Sequence, residues 1–106
     1  MAWIVDFHPA ARIEAAAQPL DIRARLEHFV VIIEGHGLSH LPPKAAKHLQ
    51  GGLWELRLTG RDGIARALYV TRSGKRLVIV RVFSKKTEKT PSRELELAVK
   101  RAKEVS

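Results

Sequence analysis

The stretch whose reading decides the fold is residues 53–91, LWELRLTGRDGIARALYVTRSGKRLVIVRVFSKKTEKTP. Three apolar runs lie in it, parted by the turn signals Arg61-Asp62-Gly63 and Ser73-Gly74. Side chains alternate across a strand, so Trp54, Leu56 and Leu58 share one face while Glu55 and Arg57 share the other. In the run Ile64 to Thr71, Ile64, Arg66, Leu68 and Val70 lie opposite Ala65, Ala67 and Tyr69. Leu77 to Phe83 is apolar on both faces, with Val78, Val80 and Val82 opposing Leu77, Ile79, Arg81 and Phe83. That is the pattern of a central strand covered twice. The stretch predicts an antiparallel sheet with more positive charge than solubility requires.

Downstream, Ser84 to Lys89 is polar and basic. Thr90 is expected to cap a last helix with Pro91 in its first position, and Leu95, Ala98, Val99, Ala102 and Val105 form that helix's buried stripe. Upstream, residues 36–52 (HGLSHLPPKAAKHLQGG) read as a loop, because Pro42-Pro43 forbids regular helix and Gly51-Gly52 offers a turn. Lys44 to Leu49 has room for one helical turn. Earlier still, Ile22, Leu26, Phe29, Val30 and Ile33 recur at spacings of three and four, which predicts a helix over about 20–34 ended by Gly35 and Gly37. The β-branched run Val30 to Ile33 leaves a strand as its rival. Ala10 to Gln18 is a short alanine-rich helix between Pro9 and Pro19, and Trp3, Ile4, Val5 and Phe7 mark a buried strand. The predicted order is β-α-α-β-β-β-α. This is an α+β domain, with a helix pair on one face of a mainly antiparallel sheet and the C-terminal helix on part of the other.

A chain of 106 residues is read as one domain, 1–106. It contains no cysteine, which excludes disulfides, thiolate zinc sites and cysteine nucleophiles and makes a reducing cytoplasm the simplest home. No run approaches the roughly 18–20 apolar residues of a membrane span, and the start lacks the basic residues of a secretory signal. Charge is uneven: residues 1–56 hold five Lys/Arg and six Asp/Glu, whereas residues 57–106 hold fourteen and five. A half-molecule excess points to one positive face, suited to nucleic acid or to an acidic partner protein. His36 and His40 stand four apart, but Gly37 and the prolines argue for a loop, so no metal site is expected. No Ser-His-Asp set, Gly-rich phosphate loop or paired carboxylates are visible. Trp3 and Trp54 are expected in the core.

The order of elements, L-W-E-L-R at 53–57, R-x-x-Y from Arg66 to Tyr69, F-x-K-K-T-x-K-T-P from Phe83 to Pro91 and E-L-x-x-A from Glu94 to Ala98 carry a resemblance. Together they are similar to the RelE/ParE superfamily toxins of bacterial toxin–antitoxin pairs, in particular the phage-derived HigB-like branch. The resemblance implies a small ribosome-associated endoribonuclease of the cytoplasm that needs no metal and no small-molecule cofactor. It would cut mRNA on the ribosome by attack of a ribose 2′-OH on the adjacent phosphorus. Its partner would be a co-produced antitoxin carrying a helix-turn-helix.

Such cleavage requires a base for the 2′-OH proton, cations for the charge on phosphorus and an acid for the leaving 5′-oxygen. Guanidinium groups suit the second task, since they stay charged and offer planar paired donors. Arg57 and Arg66 on adjacent strands, with Lys85 and Lys86, are the candidate catalytic residues. Arg81, Phe83, Thr87 and Lys89 are the candidate RNA-binding residues. The chain departs from better-equipped members in having no tyrosine or histidine beyond Tyr69. Tyr69, a lysine or Glu88 would have to substitute, or proton transfer is weak. Tyr69 falls on the face opposite Arg66, where core packing is its expected task. Two alternatives stay open: a non-catalytic ParE-like toxin that inhibits DNA gyrase, and a degenerate member that binds only antitoxin or nucleic acid.

Overall fold

The computed structural model describes residues 2–85 and 89–105. Strand β1 (Ile4–Phe7) is followed by helices α1 (Pro9–Ala16) and α2 (Leu20–His36) and by a 3₁₀ turn at Leu38–His40. Then come β2 (Ala46–Gln50), β3 (Leu53–Thr59), β4 (Ile64–Arg72), β5 (Arg76–Lys85) and the last helix α3 (Ser92–Ala102). The five strands form one sheet in the order β1-β5-β4-β3-β2. Among the described residues only β1 runs parallel to its neighbour; the other pairs are antiparallel. The α+β reading holds, and the Val30 to Ile33 run is helical, since Phe29 and Ile33 are buried on the side of α2 that faces the sheet.

Strand β2 corrects the expected loop over 36–52. Ala46, Lys47 and His48 pair with Leu56, Glu55 and Trp54, and His48 Nε2 meets the Gly51 carbonyl oxygen at 2.7 Å across the connecting turn. Residues 46–50, AKHLQ, contain no β-branched side chain, so nothing local favours extension. The pairing with β3 decides the conformation. Trp54 is a second correction: it is 38% exposed, with its ring 5.0 Å from that of His48, rather than in the core. A third concerns the start of α3. Pro91 has an extended backbone and precedes the first helical residue Ser92, and the Thr90 hydroxyl bonds Glu55 instead of capping the helix.

The sheet is covered on both faces. Ile22, Leu26, Phe29 and Ile33 of α2 and Ala11 of α1 pack with Leu56, Leu58, Ala65, Ala67, Tyr69, Leu77, Ile79 and Val82. Each large apolar side chain buried there contributes roughly 1.5–3 kcal/mol. On the other face, Ala98 of α3 packs with Leu53, Leu68, Val70, Val78, Val80 and Phe83. Val82 and Phe83 thus lie on the faces opposite to those expected from strict alternation. The cause is a β-bulge: Leu68 pairs with Arg81 and Tyr69 with Ile79, which leaves Val80 as the extra residue. Everything in β5 after the bulge changes sides.

The end of β1 at Phe7 leaves the outer edge of β5 open beyond Ile79. Glu14 of α1 fills that place, accepting the Val82 N–H at 3.1 Å, and Arg101 of α3 donates to the Val80 carbonyl at 3.0 Å. An edge that would otherwise invite another strand is closed by side chains. Among the described residues no helix is long and apolar enough to cross a membrane.

Candidate nucleic-acid interface

Residues directly opposite in an antiparallel pair share a face. Arg57 stands opposite Arg66 and Arg66 opposite Phe83, while Ile64 stands opposite Lys85 in the next row. Lys47 of β2 stands opposite Glu55 in the preceding row. The bulge is what puts Lys85 on the face of Arg57 and Arg66. These side chains continue the face occupied by α3 beyond the helix's apolar footprint on Leu53, Leu68, Val70, Val78 and Val80.

Arg66 is buried, and its Nη1 donates to Oε2 of the equally buried Glu55 in a short contact. Glu55 Oε1 accepts from the Thr90 hydroxyl at 2.8 Å. Arg66 Nε is buried with no hydrogen-bond partner among the described residues. Arg57 is half-buried, and its backbone N–H donates to the Ala45 carbonyl at 2.8 Å, extending the β2–β3 ladder by one bond. Lys85 is largely buried, and burial holds its ammonium below the usual lysine value; the charges of Arg66, Lys47 and Arg57 act in the same direction against the opposing pull of Glu55. A lysine so placed gives up its proton more readily than a surface one, which suits an acid for a leaving oxygen.

Among the other sequence candidates, Phe83, opposite Arg66, and Arg81, opposite Leu68, lie on the same sheet face but are engaged differently. Arg81 donates to Glu14 at 2.6 Å and to Glu94 at 2.7 Å, within an ionic cluster that also includes Arg101. Its guanidinium lies 5.6 Å from the centroid of the Phe83 ring, and Phe83 itself is packed in the α3-side core. Lys89 is exposed. Lys86, Thr87 and Glu88 lie outside the described residues. Tyr69 is buried in the α2-side core with its hydroxyl pushed up to about 12 by desolvation, on the face away from Arg66. Three contributors escaped the sequence reading. The sequence offers Glu55 only as a pairing partner that would occupy a strand arginine, Thr90 as a helix cap and Lys47 as part of a loop. The alternation that placed Glu55 beside Arg57 was the one signal able to find any of them.

Comparisons with known proteins agree with this architecture. The family model described as "Phage derived protein Gp49-like (DUF891)" matches residues 14–103. The E. coli toxin RelE, solved as a doubly substituted mutant in the free state, is 25% identical with a TM-score of 0.67, covering 95% of this chain and 98% of its own. A chain of the archaeal RelE-RelB complex from Pyrococcus horikoshii OT3 is 20% identical with a TM-score of 0.58, covering 79% and 96%. A chain of the YoeB-YefM complex from Staphylococcus aureus is 13% identical with a TM-score of 0.57, covering 82% and 100%. Among curated proteins no match is found. With most of its length matched by one family model and a RelE-like sheet-and-helix arrangement, the chain belongs to the phage-derived Gp49-like family and has the RelE toxin fold.

Proposed function

We propose that this chain is the toxin of a toxin–antitoxin pair and a metal-independent endoribonuclease that cuts mRNA on the ribosome. The observation that carries the reading is the cross-strand pair Arg57–Arg66 with Lys85 one row away on the same face. Guanidinium groups carried at facing positions of neighbouring strands suit the two non-bridging oxygens of one phosphodiester. As the 2′-oxygen bonds to phosphorus, the growing negative charge stays between them, which is stabilisation aimed at the transition state. The 2′-OH proton passes to water, the bond from phosphorus to the 5′-oxygen breaks, and Lys85 supplies the proton to that oxygen. The products are a 2′,3′-cyclic phosphate and a 5′-hydroxyl. Lys86, Thr87 and Lys89 belong to the basic stretch that follows and extend the contact along the message. Arg81 and Phe83 serve by holding β5 against α1 and α3.

The similarity to a protein called a toxin and to two two-protein complexes, RelE-RelB and YoeB-YefM, supports a neutralising partner for this chain as well. We assign that role to an antitoxin with a helix-turn-helix, and the site of action to the cytoplasm. Inducing the protein alone is expected to stop growth and yield cut transcripts, and Arg57→Ala is expected to abolish both effects. Normal growth with whole transcripts at high expression overturns the reading. The lack of tyrosine or histidine beyond Tyr69 favours a second one, non-catalytic inhibition of DNA gyrase. That reading predicts a DNA damage response with mRNA left whole.

A further inference from the structure

Glu55 is 1% exposed, on a strand face otherwise rich in cations. A carboxylate is kept in such a place only if its oxygens are engaged, because desolvation otherwise outweighs any single attraction. Both oxygens are engaged: Oε2 by Arg66 Nη1 and Oε1 by the Thr90 hydroxyl. Arg66 belongs to β4, whereas Thr90 stands just ahead of α3, at the end of the basic stretch that follows β5. One carboxylate therefore ties a central strand to the approach to the C-terminal helix. Arg66 Nε–H remains, buried and without an acceptor among the described residues. Leaving such a donor unmade is costly, so the guanidinium is held in place by its anchor on Glu55 and not by what Nε meets.

We propose that Glu55 is a positioning residue for the reaction: by holding Nη1 of Arg66 it fixes the guanidinium plane, and with it the direction in which the remaining edge of that group meets the bound RNA phosphodiester. The inference rests on the ribonuclease reading above. A guanidinium is planar and rigid, so anchoring one edge determines where its other donors point. The Thr90 bond fixes the carboxylate in turn. Glu55 also neutralises one of the clustered charges, which lets Arg66 remain buried where an unpaired cation would be expelled.

The test uses the full chain with Glu55→Gln, which keeps the shape but weakens the grip on Arg66, and Thr90→Val, which removes one hydrogen bond and no charge. Cleavage in a reconstituted translation system gives kcat and KM, and the ¹⁵N–¹H resonance of Arg66 Nε reports the guanidinium directly. In wild type that resonance is expected to be narrow and to shift when a 2′-O-methyl RNA oligonucleotide, which cannot be cut, is added. Glu55→Gln is expected to broaden it and to lower kcat roughly 10- to 100-fold with little change in KM, as a displaced transition-state contact does. Thr90→Val is expected to lower kcat several-fold and answers the question if Glu55→Gln fails to fold. A kcat within twofold of wild type in whichever variants fold overturns the proposal. A wild-type protein that leaves message whole overturns the ribonuclease reading instead. In that case an Nε resonance equally narrow in wild type and in the folded variants removes the positioning role on its own.

Discussion

Arg81 Nη1 and Glu14 Oε2 meet at 2.6 Å although 67 positions separate them in the chain. The same carboxylate accepts from Arg101 Nη1 at 2.8 Å and, through Oε1, from the Val82 N–H at 3.1 Å. Glu94 of α3 completes the cluster by accepting Arg81 Nε at 2.7 Å. Glu14 thus holds α1, β5 and α3 together while standing in for a missing strand. Glu14→Gln is expected to destabilise the protein by about 2 kcal/mol, because it weakens the charge-assisted bonds to two arginines, Arg81 and Arg101. Denaturant melts of the two proteins check this, and an unchanged midpoint would contradict it.

Acid should find the same point. Bonds from Arg101, Val82 and Arg81 hold the Glu14 carboxyl below the usual glutamate value of 4.5, outweighing the burial that raises it. The folded state therefore releases this proton more readily than the unfolded one, so stability rises with pH in that range. The contribution is complete above about pH 4.5 and is lost as pH falls through the lower folded value. Glu14→Gln is expected to flatten that part of the stability–pH curve, measured by thermal melts from neutral pH downwards.

Lys85 gives a slope of the same sign, but in the alkaline range. Its lowered pKa means that the folded protein binds this proton less well than the unfolded chain does. Stability should therefore rise with pH from its folded value up to the ordinary 10.5. Lys85→Met is expected to leave the melting temperature unchanged or higher while reducing cleavage by roughly 10²- to 10⁴-fold, the usual contribution of a positioned acid. A variant that melts early and still cuts would show that the lysine is structural.

Binding to RNA should depend on salt in proportion to the phosphates neutralised, with a log–log slope of roughly −0.7 for each contact to a single strand. Arg57→Ala is expected to reduce the slope by about one such contact, and Arg81→Ala to leave it unchanged because that guanidinium is committed to Glu14 and Glu94. Titrations of a short labelled RNA at several salt concentrations decide between them.

Much of this was legible in the chain. Alternation placed Arg57, Arg66 and Leu68 correctly, and the stripe from Ile22 to Ile33 located the helix that covers the sheet. What stayed hidden depended on distant partners. Residues 46–50 become a strand only because β3 offers a ladder, and the bulge at Leu68–Tyr69 leaves no mark in a run of apolar residues. Arg81 reads as a free cation until Glu14 and Glu94 are brought beside it. Thr90 reads as a helix cap until Glu55 is seen to need a donor. Local pattern gives faces; it does not give the pairings that decide which charges remain available.

On the proposed mechanism Arg57, Arg66 and Lys85 act together on one phosphodiester of message. Mapping both ends of RNA cut by the purified protein in a reconstituted translation system tests it most directly. Wild type is expected to leave 2′,3′-cyclic phosphate and 5′-hydroxyl ends, and Arg57→Ala to cut at least about 100-fold more slowly. Whole message, 3′-hydroxyl ends, or an Arg57→Ala protein as fast as wild type would contradict it.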